Sequence, residues 1–153
     1  MKQLELTLPP VAVTVLYGVA MWGIAHVAPP QALPKVLTFT AAALFTIGSG
    51  VVGIAGIVAF RRAGTTVNPL QPGNSSALVV DGIYGYTRNP MYLALLMLLF
   101  AWGIALSNPW SMLFAWTFIP YMNRFQIGPE ERAMARRFGA DFLRYAARVR
   151  RWI

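Results

Sequence analysis

Cysteine is absent from this 153-residue chain, and charged residues are scarce. Without cysteine the chain can form no disulfide, no thiolate metal site and no cysteine nucleophile. Only 12% of the residues are charged while 57% are hydrophobic, and a composition this apolar argues against a soluble domain. A single histidine, His26, is present, and no metal site is predicted.

Three long segments lack any Lys, Arg, Asp or Glu: residues 6–34, 36–60 and 89–123. A helix that crosses the hydrocarbon core of about 30 Å needs roughly 20 apolar residues, so each segment is long enough. The third is too long for one crossing and contains Ser107-Asn108-Pro109, which is typical of a turn. We therefore expect two short antiparallel helices there.

The sequence thus predicts an all-α integral membrane protein that forms a single domain over residues 1–153. Its four transmembrane helices are predicted near residues 8–28, 34–60, 90–106 and 109–124, and the last two form a short helical hairpin. A cytoplasmic loop at 63–87 connects the second and third spans. The first segment lacks a clear small-residue cleavage site, so we interpret it as a retained span.

The distribution of positive charge predicts the orientation. With four spans, every lysine and arginine except Lys35 falls on one side of the membrane, and that side is expected to be cytoplasmic. Both termini then face the cytoplasm, in what we interpret as a bacterial inner membrane. This asymmetry accounts for the net charge of +8, so no nucleic-acid partner is predicted.

A C-terminal amphipathic helix is predicted over residues 129–149. Apolar residues recur there at steps of three and four, which is typical of one face of a helix: Met134, Phe138, Phe142, Tyr145 and Val149. Several arginines lie off that stripe, so we expect this helix to lie at the headgroup boundary and contact anionic lipids. Gly139 weakens its middle.

A glycine pattern in the second span has an ordinary structural explanation. Residues 48–53, GSGVVG, match a dinucleotide-binding fingerprint, but that fingerprint requires a preceding strand and the start of a helix. Here the pattern lies inside an uninterrupted apolar run. We therefore expect close helix packing through small residues.

Two polar clusters lie at the ends of the predicted hairpin, on the same side of the membrane. Arg88 precedes the third span, where a snorkelling arginine is common. Glu130 and Glu131 follow Pro129, and acids in a first helical turn are also common. Because a short hairpin brings its two ends together, we expect these clusters to meet in space.

The two clusters together resemble the isoprenylcysteine carboxyl methyltransferase and phospholipid methyltransferase superfamily of membrane enzymes. Gly82-x-Tyr84-x-x-x-Arg88-Asn89-Pro90-Met91-Tyr92 looks like the family motif G-x-Y-x-x-x-R-H-P-x-Y. Glu130-Glu131, followed by Phe138-Gly139 and Tyr145, is similar to the family's ending. One departure is Asn89, which replaces the family's histidine and has no titratable ring.

The resemblance implies that S-adenosylmethionine binds between the hairpin and the C-terminal segment, and that a lipophilic small-molecule or lipidated substrate enters from the membrane lipids. The implied cofactor-binding residues are Gly82, Tyr84, Arg88, Asn89, Pro90, Tyr92, Glu130 and Glu131. A guanidinium suits a carboxylate, so Arg88 is expected to bind that group of the cofactor. Arg88 and Arg124 are the candidate catalytic residues, and Arg124 is expected to orient an anionic head group or to anchor the membrane edge.

Three functions stay open at this stage. The favoured one is a methyltransferase of the isoprenylcysteine carboxyl type with a carboxylate acceptor. The second is an N-methyltransferase that acts on a phospholipid amine, which would need a base such as Glu130, Glu131 or Asp81. The third is a four-helix transporter or assembly protein without catalysis, although spans two to four contain none of the ionisable residues that ion-coupled transport usually needs.

Overall fold

The computed structural model describes residues 5–29, 31, 34–64 and 77–153, and in this part of the chain the regular structure is helical. The elements in chain order are α1 (Pro10–Val27), α2 (Lys35–Arg62), a 3-10 turn (Gly82–Gly85), α3 (Pro90–Ala105), α4 (Pro109–Trp116), α5 (Phe118–Met122), a π-helical turn (Asn123–Ile127), α6 (Gly128–Phe138) and α7 (Ala140–Arg148). Residues 65–76 of the predicted cytoplasmic loop lie outside the described residues.

The first two helices are long and apolar enough to cross a membrane, and most of their surface is exposed. Large apolar side chains such as Val15, Leu37 and Ile54 are about 60% exposed, whereas a core helix of a soluble protein would bury them. The observed bounds match the predicted spans 8–28 and 34–60 closely. Helices α3 and α4 are shorter, with 16 and 8 residues, so the prediction of four transmembrane helices stays a prediction.

Helix α2 packs closely against α3 through small residues. The hydroxyl of Ser49 donates a hydrogen bond of 2.8 Å to the carbonyl of Ala94. A methyl group added to Gly53 would lie 3.4 Å from the Ala94 side chain. The helix-packing interpretation of residues 48–53 is therefore confirmed, and the resulting close approach determines the width of the space between α2 and α3.

The predicted turn between the third and fourth apolar helices is confirmed. Ser107 has a positive φ of 49°, and the Asn108 side chain accepts a hydrogen bond of 3.0 Å from the backbone of Ser111. The amide of Asn108 also donates to the carbonyl of Ala28, and the Ser111 hydroxyl donates to Met21. These bonds attach the hairpin to α1.

The fourth apolar segment does not end before the C-terminal helix as predicted. From Pro109 to Phe138 the chain stays helical, interrupted only at Thr117 and widened in the π-helical turn. Pro120 has no N–H to donate to the carbonyl of Trp116, which explains the interruption. Pro129 likewise leaves the carbonyl of Phe125 free, and the backbone N–H of Leu6 donates to it at 3.0 Å.

The predicted single helix 129–149 is wrong, because the structure contains two helices, α6 and α7. Gly139 separates them with φ +52° and ψ −124°, a conformation that a residue with a side chain rarely adopts. The reversal folds α7 back, so that its apolar face packs against Leu78 and Val80. Protein side chains therefore cover the apolar stripe.

Candidate functional site

A cavity of about 550 Å³ lies where α1, α2 and α3 meet the segment 78–84 and helices α6 and α7. Its volume is typical of small-molecule sites. Its polar end is formed by Arg88 and Asn89, just before α3, and by Glu130 and Glu131 in the first turn of α6. The rest of the wall is largely apolar and includes Ile54 and Ile57 of α2.

Arg88 is the most connected side chain at the polar end. Its Nη2 atom lies 2.5 Å from Oε1 of Glu131, and its Nη1 donates to the carbonyls of Ala146, at 2.8 Å, and Val149. The side chain is only 12% exposed. Its buried Nε–H finds no acceptor among the residues that the structure describes.

Glu131 lies between two arginines. Besides the bond from Arg88, it accepts from Nε of Arg151 at 3.0 and 3.1 Å and from Nη2 at 2.6 Å. Burial alone would raise the pKa of Glu131, but the hydrogen bonds from Arg151 and Arg88 outweigh it and hold the pKa below its ordinary value. This carboxylate is therefore ionised at neutral pH.

Glu130 has the opposite environment. The hydroxyl of Tyr92, buried in α3, donates a short hydrogen bond to Oε1 of Glu130. Burial raises the pKa of the Glu130 carboxyl to about 8, and the charge of Glu131 adds to the rise, whereas the bond from Tyr92 opposes it. Two adjacent glutamates therefore differ in protonation at neutral pH.

Two tyrosines form the wall next to the 3-10 turn. Gly82 begins this turn with φ +62°, and Tyr84 follows with its ring 5.3 Å from that of Phe60, centre to centre. The hydroxyl of Tyr145 donates to the carbonyl of Tyr84 at 2.8 Å. Burial raises the pKa of Tyr145 to about 12 and also raises that of Tyr84, so both hydroxyls stay protonated donors.

Comparison with known proteins now identifies the family. The model of a family described as phospholipid methyltransferase matches residues 36–141, which is more than half of the chain. The chain belongs to the phospholipid methyltransferase family. Membership implies methyltransferase activity at a membrane, and the family generally uses S-adenosylmethionine.

One relative matches part of the chain. An uncharacterised protein of Haemophilus influenzae is 43% identical over 63 residues, which cover 41% of this chain and 100% of that relative. No solved structure matches the chain. The family match therefore carries the functional argument, together with the geometry of the cavity.

The structure brings together most of the residues that the methyltransferase motifs single out. Those that line the cavity are Tyr84, Arg88, Asn89, Tyr92, Glu130 and Glu131. Gly82 and Pro90 do not line it, but Gly82 opens the 3-10 turn and Pro90 begins α3 against Gly56 of α2. Both therefore contribute to the backbone of the site.

Arg124 lies outside this cavity. Its Nη1 atom is 2.7 Å from Oε1 of Glu5, and its side chain is 45% exposed. Glu5 also pairs with Arg132, so the two arginines attach the segment before α1 to the helical run that contains α6. The structure therefore does not bring Arg124 to the cavity to orient a substrate head group, and its role as a membrane-edge anchor stays a prediction.

Three residues that make hydrogen bonds at the site were not among the site residues predicted from the sequence. Arg151 pairs with Glu131, Tyr145 bonds to Tyr84, and Thr87 donates to the carbonyl of Arg151 at 3.1 Å. Tyr145 had a usable signal, since it belongs to the family ending. Arg151 is one of several arginines in the C-terminal region, and nothing in their spacing distinguishes it.

Proposed function

We propose that the protein is an integral-membrane methyltransferase with four transmembrane helices, and that it transfers a methyl group from S-adenosylmethionine to a lipid substrate in the cavity described above. The observation that carries the proposal is the composition of this one cavity. It joins a half-buried cluster of Arg88, Glu130 and Glu131 to an apolar wall of α2 and α3. Polar cofactor and apolar acceptor would thus meet at one place.

The charges of the cluster fit S-adenosylmethionine. Arg88 and Arg151 contribute two positive charges, ionised Glu131 one negative charge, and Glu130 is mostly protonated near neutral pH because its pKa is about 8. The excess of positive charge favours the carboxylate of the cofactor's methionine part. The guanidinium of Arg88, which lines the cavity, would donate to that carboxylate, and the glutamates are acceptors for ribose hydroxyls or the cofactor's ammonium group.

The chain's own contribution to the reaction is mainly positioning. When bound, S-adenosylmethionine supplies a methyl group activated by its attachment to a sulfonium. Arg88 and Glu131 would hold the polar part of the cofactor, while Tyr84 and Tyr92 wall the cavity beside it. The apolar side chains of α2, such as Ile54 and Ile57, would exclude water from the reacting atoms.

We keep a carboxylate as the first acceptor, because an ionised carboxylate is already a nucleophile and needs no base. A lipid amine is the second candidate, and Glu130 favours it. This carboxyl lines the cavity and has a pKa of about 8, so its ionised form could accept the proton of an amine head group. The family description also names phospholipids.

The proposal is tested by transfer of labelled methyl from S-adenosylmethionine into membrane lipid extracts and small lipophilic acids. Purified parent protein should label a lipid, whereas Arg88→Ala and Glu131→Gln should label about a hundredfold less. A base-labile product would indicate a methyl ester and a base-stable product an N-methyl amine. Absence of labelling by the parent with every acceptor class would contradict the proposal and favour a non-enzymatic membrane protein.

A further inference from the structure

The four residues that follow α7, 149–152, bind residues of the polar end of the cavity, and we name them the clasp. On one side they bind the segment that precedes α3. The backbone N–H of Arg88 donates to the carbonyl of Arg150 at 2.9 Å. Thr87 and Asn89 both donate to the carbonyl of Arg151, at 3.1 and 2.9 Å. The residue that replaces the family's histidine is thus a hydrogen-bond donor to the clasp.

On its other side the clasp binds the helical run that contains α6. The guanidinium of Arg151 forms its bidentate pair with Glu131, and the indole N–H of Trp152 donates to the side chain of Asn123 at 3.1 Å. The clasp therefore connects the two motif segments, which are otherwise bridged directly by the Arg88–Glu131 and Tyr92–Glu130 contacts.

We propose that the clasp is a positioning element of the cofactor site, in which Arg151 holds Glu131 against Arg88 and thereby fixes both side chains for S-adenosylmethionine. This inference rests on the proposed function. The charged and titratable groups that face Glu131 are Arg88 from the start of α3, Arg151 from the clasp and Glu130 from α6 itself. Without Arg151, Glu131 keeps one arginine and more freedom to rotate.

The first test measures the affinity of purified protein in detergent for S-adenosylmethionine by calorimetry. Arg151→Ala should bind about tenfold more weakly than the parent, and Arg151→Lys should recover part of the loss, because it restores the charge but not the bidentate fork. Arg148→Ala is the matched control, because Arg148 lies in α7 outside the clasp. Its side chain is exposed and makes no hydrogen bond or ion pair within the described residues, so this variant should bind like the parent.

The pH dependence distinguishes positioning from a merely structural role. Arg151 helps to hold the pKa of Glu131 low, so its removal raises that pKa. The affinity of Arg151→Ala should therefore fall further than that of the parent as the pH is lowered from neutral and Glu131 takes up a proton. A general loss of folding would not produce this difference, and the melting temperature reports such a loss separately.

A second pair of variants alters a hydrogen bond to the clasp at a residue that does not line the cavity. Thr87 is buried and does not line the cavity. At nearly constant volume, Thr87→Val removes the donor to Arg151 and the acceptor of the Asn89 backbone N–H, and it should weaken cofactor binding. Thr87→Ser keeps a hydroxyl for both bonds and should restore binding. If the parent binds while Arg151→Ala and Thr87→Val bind equally well, the clasp proposal is wrong. If the parent itself does not bind, the proposed function fails and the clasp's role in it fails as well.

Discussion

The hydroxyl of Tyr92 donates a hydrogen bond to the carboxyl group of Glu130, which joins α3 to α6 across the cavity. Directly beside it, Arg88 pairs with Glu131 at 2.5 Å. Arg88 and Tyr92 of one motif segment thus bind the two adjacent glutamates of the other segment. The pairing explains why an arginine and a tyrosine at this spacing, and two consecutive glutamates, occur together in one chain.

The protonation of Glu130 makes stability depend on pH. Because burial raises its pKa from 4.5 to about 8, the folded chain holds a proton there that the unfolded chain releases. This contribution to stability is complete below about pH 4.5 and is lost as the pH rises to about 8. Glu130→Gln cannot ionise, so its stability relative to the parent should increase over that interval. Melting temperatures across the pH range check this, and a constant difference would contradict the assigned protonation.

Gly139 should be required for the docking of α7. A Cβ there would meet no atom within 4 Å, but φ +52° with ψ −124° strains any residue with a side chain. Gly139→Ala is expected to destabilise the fold by about 1–3 kcal/mol. Gly85→Ala is the control, because Gly85 lacks a positive φ and has room for a methyl group. Equal melting temperatures for the two variants would show that the reversal does not need glycine.

The hydrogen bond between α2 and α3 should contribute measurably to stability. Ser49→Ala removes the donor to the carbonyl of Ala94, and we expect a loss of about 0.6–1.7 kcal/mol. Thr46→Val is a suitable comparison, since the Thr46 hydroxyl bonds to Ala42 within its own helix. Unfolding in detergent measures both variants. A loss for Thr46→Val as large as for Ser49→Ala would contradict an interhelical role.

The absence of cysteine allows a direct test of topology. Single cysteines introduced at Gln31 and at Arg150 can be labelled with a thiol reagent that does not cross membranes. With four spans and both termini in the cytoplasm, the cysteine at position 31 should be labelled from outside intact cells and that at position 150 only after lysis. The same label pattern at both positions would contradict the predicted orientation.

The bounds of the apolar helices could be predicted because local chemistry determines them. Prolines flank α1, charged residues begin and end α2, and Asn108 caps the helix after the turn. The meeting of Arg88 with Glu131 also followed from the hairpin. The interruption and the widening of the helix between Thr117 and Pro129 were not predicted. A helix that contains a proline can continue, bend or widen, and the outcome depends on which donor bonds to the carbonyl that the proline leaves free.

The roles within the site were less predictable than its location. The sequence assigns Arg88 to the cofactor, but in the fold both its Nη atoms already donate hydrogen bonds to protein groups. Arg124 has the same charge and a similar position at the end of an apolar segment, yet it binds Glu5. The different roles of the two arginines depend on long-range contacts made by the segments around residues 5 and 151. No local sequence pattern predicts these contacts.

The most direct test of the central claim is the equilibrium binding of labelled S-adenosylmethionine to purified protein in detergent. The parent should bind saturably, Arg88→Ala should lose about tenfold or more in affinity, and Arg124→Ala should bind like the parent because Arg124 lies outside the cavity. Absence of saturable binding by the parent, or parent-like binding by folded Arg88→Ala, would contradict a cofactor site formed by the Arg88 and Glu130-Glu131 segments.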